Sequence, residues 1–342
     1  MTRVTAPIRI LCCLCLCSLA TLAVGASGGA QSGRKLPSNN SQRDQDQPLR
    51  LRADEVLLNV TVVDPYGHQT TDLNREDFIV AEDGNRQDIV SFAISSVPIN
   101  VVLLLDASGS IVTEINSLRD AAMHFVNQLS PEDKTSVIEF HTNIELIQDW
   151  TSKADEVRLA LSWRFKPGMV MNKQGRFDYG QTALYDALFS TADEQLSKVE
   201  GRKAIILLTD GDDTSSKLTY EQALGQVIKS GATVYVVSKA RAFMQALSRY
   251  REYVERLEHA EQLMTDVAHR TGGQIYSPLR DEEMKAVYAQ VARELKNQYI
   301  ITYVSRNEAR DGRLRHISVY LTRPGYTSRT RDSYYAPKED SR

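Results

Sequence analysis

The sequence predicts an α/β fold: a doubly wound, mostly parallel sheet inserted in a small all-β sandwich formed by its flanking segments. Three observations predict it. The run 99–105, Ile-Asn-Val-Val-Leu-Leu-Leu, is nearly continuously apolar, as a strand buried on both faces requires. Strand patterns recur at 135–140, 144–148, 204–208, 233–237 and 274–276 with helical patterns between most of them, the alternation of βαβ units and a Rossmann-like sheet. The segments 56–94 and 299–331 read as short strands broken by turns, each too small to bury a face alone.

Composition places the chain among ordinary globular proteins. Of its 342 residues 42% are hydrophobic and 25% charged, so disorder, collagen and a pure coiled coil are ruled out. Lys+Arg 41 against Asp+Glu 44 gives a net charge of −3, and no global field points to nucleic acid or an anionic membrane.

The N-terminus reads as a targeting segment. Arg3 and Arg9 precede an apolar run over 10–24, and Gly25-Ala26-Ser27-Gly28-Gly29-Ala30 follows; these are the three parts of a secretory signal. All four cysteines (12, 13, 15 and 17) lie inside it, so cleavage after Ala26 or Ala30 leaves a chain without thiols. The run is shorter than the roughly 20 residues a membrane span needs, and none follows it. The residues before each Cys are too bulky for a lipobox, and an uncleaved anchor stays open as the alternative. The expected organisation is a signal peptide over 1–26, a flexible polar linker over 27–50, one half of the sandwich over 51–96, the α/β domain over 97–296 and the second half over 297–338. The mature protein is then periplasmic or secreted, with no membrane span.

Along the chain, residues 56–62 alternate as a strand and Asp64-Pro65-Tyr66-Gly67 turns it. Strands over 77–82 and Ile89–Ile94 flank Asp83-Gly84-Asn85, a tight-turn signal. A helix after the buried strand puts Ile111, Ile115, Leu118, Ala122, Phe125, Val126 and Leu129 on one face, and Ser130-Pro131-Glu132-Asp133 ends it. The strands 135–140 and 144–148 are too close for a crossover, so they form an antiparallel hairpin at one edge. Helices follow over 153–163, 183–198, Tyr220–Ser230 (capped by Thr219 with Gln222), 242–270 and 282–297. Strands return at Tyr299–Val304, 317–321 and 326–331.

The buried strand ends in Asp106-Ala107-Ser108-Gly109-Ser110, ahead of a helix. In a doubly wound sheet that crevice is where ligands bind. A second buried strand ends in Thr209-Asp210-Gly211 at the same edge, and Gly180-Gln181-Thr182 precedes a helix between them. Every candidate ligand is oxygen, with no His or Cys, which suits Mg²⁺, Mn²⁺ or Ca²⁺ over zinc. Taken singly, each has a plainer role: Ser108 or Ser110 as helix N-cap, Asp106 and Asp210 as turn residues.

These residues resemble the von Willebrand factor A-domain family, whose metal-ion-dependent adhesion site combines D-x-S-x-S with a distant Thr and a distant Asp. The resemblance implies metal ligands at Asp106, Ser108, Ser110, Thr182 and Asp210, with Asp210 acting through water. It further implies a metal left with positive character and an open position for a partner's carboxylate. The stretches 60–92, 182–187 and 271–276, with Arg323-Pro324-Gly325 and Tyr334-Tyr335-Ala336-Pro337, are similar to exported acidobacterial-type relatives. The stretch 169–179 departs from them, and Gln181 stands where relatives often carry Gly. The expected function is an exported module that grips an acidic group of a protein partner through a divalent metal. An exported metal-dependent enzyme and a scaffold with a vestigial site remain as alternatives; no general base is placed beside the metal to favour the enzyme.

Other signals carry less. Asp210, Asp212, Thr214 and Glu221 fall at EF-hand spacing, but Ser215 stands where Gly is needed. Asp212-Asp213 reads as a solvated pair, and the six His residues show no ligand spacing. P-loop, G-x-S-x-G and dinucleotide motifs are absent from the sequence. Arg-rich 306–331 is interrupted by acids and reads as solvated strand faces rather than a nucleic-acid patch. Phe243, Leu247, Tyr250, Val254 and Leu257 form a heptad seam, continued by Ala260 and Met264, with Glu252 and Arg256 as an i,i+4 pair. If continuous, a helix over 242–270 would span about 40 Å; otherwise Leu263, Met264 and Val267 pack on the sheet and the first half, 243–257, projects as an arm or folds back as a separate helix. A seam left exposed is expected to bind a partner helix or a second copy.

Overall fold

Four strands open the described chain: β1 (Glu55–Val63), β2 (Phe78–Glu82), β3 (Asn85–Gln87) and β4 (Ile89–Ile94). The computed structural model describes residues 55–94, 97–109, 115–165, 170–171, 177–178 and 181–339. The expected signal peptide and linker, together with Ser110 and Ile111, lie outside them. Asp83 and Gly84, at φ 47° and 79°, make the turn, and positive φ at both central residues is what a tight hairpin demands. The turn joins β2 to the short β3 rather than to β4, which crosses to another sheet.

The α/β region follows: β5 (Ile99–Asp106), α1 (Ile115–Val126), β6 (Lys134–Phe140), β7 (Ile144–Thr151), α2 (Ala154–Leu159), β8 (Val170–Met171), β9 (Phe177–Asp178) and α3 (Leu184–Ser190). It continues through β10 (Arg202–Thr209), α4 (Tyr220–Ser230), β11 (Thr233–Ser238), α5 (Ala240–Ala246), α6 (Arg251–Arg270), β12 (Ile275–Tyr276) and α7 (Asp281–Lys296). Both α2 and α3 run on into a π-helical turn. The six strands of the main sheet lie in the order β12-β11-β10-β5-β6-β7. All neighbours are parallel except the edge hairpin β6–β7. One face of β5 (Val101, Leu103, Leu105) packs on α1, α2 and α7, and the other (Val102, Leu104) on α3, α4 and α6. This double cover is why the strand carries apolar residues at consecutive positions; each such Leu contributes about 1.5–3 kcal/mol on burial. Thr219 caps α4, accepting from Gln222 N, while the Gln222 side chain accepts from Thr219 N.

The last strands are β13 (Tyr299–Val304), β14 (Leu314–Leu321), β15 (Thr327–Arg329) and β16 (Ser333–Tyr335). They interleave with the first four into two sheets, β15-β1-β13-β4 and β16-β14-β2-β3. Val56, Leu58, Val60 and Val62 of β1, Phe78 and Val80 of β2, and Tyr299, Ile301 and Tyr303 of β13 share one core between them. Flanking segments that cannot bury a face separately therefore do so together, as a sandwich holding the α/β region as an insert. Ile94 and Tyr299 are partners in register, so the chain leaves the sandwich and re-enters it at adjacent points. There Arg202, buried at the start of β10, donates to the carbonyls of Val97 (3.2 Å) and Leu295 (2.6 Å) and to the Gln298 side chain (2.8 Å).

The continuous form of the 242–270 helix is corrected and the fold-back alternative is the one formed: the helix breaks at Leu247–Tyr250. Arg241 of α5 pairs with Glu261 of α6 at 3.0 Å, whereas 20 residues of one helix would separate them by about 30 Å. The two helices fold back on each other. Of the seam, Leu257 is buried, Phe243, Leu247 and Val254 are half-buried, and only Tyr250 is exposed. No helix among the described residues is long and apolar enough to cross a membrane.

Candidate metal centre

The site is built at the C-terminal ends of β5 and β10, adjacent parallel strands with Leu105 opposite Leu208. Asp106 ends β5 and Asp210 directly follows β10, and each carboxylate accepts from the backbone N–H two residues on. Ser108 N donates to Asp106 Oδ1 at 2.9 Å, and Asp212 N donates to Asp210 Oδ1 at 3.1 Å. Thr209 Oγ1 donates to Asp106 Oδ2 at 2.8 Å and in turn accepts from Gly211 N at 2.9 Å. Thr209 ties the two loops together, and the sequence reading assigned it no role.

Thr182 comes to the same edge from between β9 and α3. Its N–H donates to Thr214 Oγ1 (2.8 Å), and its carbonyl accepts from Thr214 N and Ser215 N. Next to it, Ala183 N donates to the carbonyl of His141, just past β6. Asp106, Ser108, Thr182 and Asp210 are all buried, and the structure brings their loops together. Ser110, the fifth expected ligand, lies outside the described residues.

Burial, then the charge of Asp210, pushes the Asp106 carboxyl up to about 7, against the pull of hydrogen bonds from Ser108 and Thr209. Two buried carboxylates in mutual repulsion fit a divalent cation, which would relieve both. Among the described residues no three His, Cys, Asp or Glu converge. Asp106 and Asp210, with the hydroxyls of Ser108 and Thr182, are thus the groups that would hold such an ion, in keeping with hard oxygen donors.

The adjacent acids are not a solvated pair. Asp213 Oδ1 accepts from Leu184 N (2.8 Å) and Ser216 Oγ (2.5 Å), closing the start of α3 onto the Asp210 loop. Asp212 pairs with Arg256 of α6 at 2.9 Å. Arg256 thus reaches off its helix rather than to Glu252, an outcome that helical spacing does not disclose. Gly211, at φ +82°, allows this: a Cβ there would lie 3.3 Å from Ala260 Cβ and Met264 Cγ, so α6 rests directly on the loop. Burial, then the charges of Asp210 and Asp212, raises the Tyr253 phenol one turn further along.

Residues 100–260 match the family model of the von Willebrand factor type A domain. The matched residues include the central strands of the main sheet and both aspartates, Asp106 and Asp210. The fold is similar to the PilB minor pilin from Streptococcus sanguinis (13% identity, 58% of this chain and 61% of the pilin, TM-score 0.41). It is also similar to proximal thread matrix protein 1 from the mussel byssus with zinc in its MIDAS motif (14% identity, 63% of this chain, 50% of that one, TM-score 0.46). A third likeness is to von Willebrand factor type A from Catenulispora acidiphila (11% identity, 86% of this chain, 77% of that one, TM-score 0.41). The chain thus spans less than two thirds of the pilin and half of the byssus protein. No curated protein sequence matches it.

Proposed function

We propose that this protein is an exported binding module that holds a divalent metal, Mg²⁺ or else Mn²⁺ or Ca²⁺, at Asp106, Ser108, Ser110, Thr182 and Asp210. The metal takes an acidic group of a protein partner. The observation that carries the reading is the burial of Asp106 beside Asp210 at the ends of β5 and β10, where burial and the second charge raise the first carboxyl. With Asp210 acting through water and the other donors neutral hydroxyls, Asp106 would be the one carboxylate bound directly, and a dication would keep positive character for a carboxylate from outside. Recognition rather than catalysis is the reading favoured by the groups described around it, the hydroxyls of Ser108, Thr182 and Thr209 and an arginine already paired to Asp212.

Export rests on the N-terminal segment, with cleavage after Ala26 or Ala30. The domain division follows the same reading: 51–96 and 297–338 as one folding unit around 97–296. Self-association through the seam is the lesser part of it, since the fold-back leaves only Tyr250 of its five residues exposed. Sedimentation at high concentration tests that part, a monomer removing it.

The experiment for the main reading is affinity capture from the native cell envelope with the wild-type chain and Asp106→Ala, each with Mg²⁺ and with EDTA. A protein captured by wild type with Mg²⁺ alone, and lost in the other three conditions, supports it. The same proteins in all four contradict it.

A further inference from the structure

Arg256 sits where it alters what the metal's surroundings look like electrically. Asp212 is joined to the site by its own backbone, since its N–H holds the Asp210 carboxylate. Its side chain is one of two further acids on the Asp210 loop: Asp213 accepts from neutral Leu184 N and Ser216 Oγ, whereas Asp212 is 12% exposed and paired with Arg256 at 2.9 Å. The arginine is presented from α6, which is seated on the loop at Gly211 by Ala260, one helical turn after Arg256. The Arg256 side chain is 56% exposed, and its guanidinium lies over the Tyr253 ring, 5.0 Å from the centroid. A stability role for so exposed a pair is small, yet the arginine is placed by the Tyr253 ring and the Asp212 carboxylate.

We propose that Arg256 is a positioning residue that neutralises Asp212, so that a metal at Asp106 and Asp210 does not feel that neighbouring carboxylate's charge as well. This rests on the metal reading above. An unpaired Asp212 would add its negative charge to the loop, tightening the hold on the cation while cancelling the positive character that draws a partner's acid. A unit charge acting on a dication across roughly 10 Å of aqueous dielectric changes an equilibrium about fourfold.

The test is calorimetric titration of the full chain with Mn²⁺ alone, at low ionic strength. Arg256→Gln should bind Mn²⁺ about fourfold more tightly than wild type, and Asp212→Asn, which leaves the arginine charge bare, about fourfold more weakly. The double variant and Arg256→Lys should lie within about twofold of wild type. Opposite signs in the two single variants cannot come from a packing role, which would weaken binding in both. Equal or weaker binding by Arg256→Gln, with native circular dichroism, overturns the proposal, as does a double variant that keeps the single variant's gain. A wild type that takes up no Mn²⁺ removes the metal reading and this inference with it; a wild type that binds while Arg256→Gln fails to gain removes only the inference.

Discussion

Arg202 donates from Nη2 to the carbonyl oxygen of Leu295 across 2.6 Å, although 93 residues separate them. The bond joins the start of a central strand to the end of α7, on the edge of the sheet opposite the aspartates. The same guanidinium holds the Val97 carbonyl and the side chains of Asn59 and Gln298, so one buried cation satisfies both places where the chain passes between sandwich and insert. Close by, Glu294 accepts from Thr61 Oγ1 and Tyr235 OH and pairs with Arg329.

Arg202→Met should therefore cost about 3 kcal/mol or more, because it strands several buried acceptors whose desolvation is then uncompensated. Urea denaturation measures it. A loss under about 1 kcal/mol would mean that water replaces the guanidinium without penalty.

The interleaving of first and last strands predicts what truncation does. In a chain ending at Lys296, β1 loses both of its neighbours, β13 and β15. Limited proteolysis should cut within 56–94 at least tenfold faster than in the full chain, while 99–294 persists. Equal resistance of 56–94 in both forms would defeat the pairing as a source of stability.

Gly273 lies against β11 so closely that a Cβ would stand 1.9 Å from the Val234 carbonyl oxygen. Gly273→Ala must push the end of α6 off the sheet, and a loss of more than about 3 kcal/mol is expected. Recovery of a wild-type melting temperature would show that the loop yields freely.

His141 follows β6 beside the Thr182 loop, half-buried, and its Nδ1 accepts from Asn143 N at 3.1 Å. Burial lowers its pKa below the ordinary 6.5. The unfolded chain then takes the proton first, so this group's contribution to stability falls as pH drops below about 6.5 toward the folded value. Imidazole proton shifts followed by NMR should give a midpoint below 6.5; one at or above it contradicts the burial argument.

Much of this molecule was legible in the sequence for identifiable reasons. Burial on both faces forces the unbroken apolar run of β5, and buried parallel strands must end at one rim, so Asp106 and Asp210 could be set together from the pattern alone. The turn at Asp83-Gly84 was visible too, but not which strand it closes, because β3 and β4 differ only in the sheet they join. The break in the 242–270 helix was not legible as such. The stretch 247–250 contains neither Gly nor Pro, and the heptad spacing runs through it. What the break allows is tertiary: Glu261 of α6 reaches back to Arg241 of α5, a contact a straight helix cannot make. For the same reason Arg256 looked like a partner for Glu252 on its own helix and is instead the partner of Asp212.

The measurement that bears most directly on the central claim is thermal unfolding of wild type and Asp106→Asn, each with EDTA and with saturating Mn²⁺. Without metal the variant should melt at or above the wild-type temperature, since it removes one of two repelling buried charges. With Mn²⁺ at about 100 times the dissociation constant the wild type should gain about 2.7 kcal/mol and overtake a variant that does not respond. A wild type indifferent to Mn²⁺, or a variant stabilised equally by it, would contradict a metal centre at Asp106.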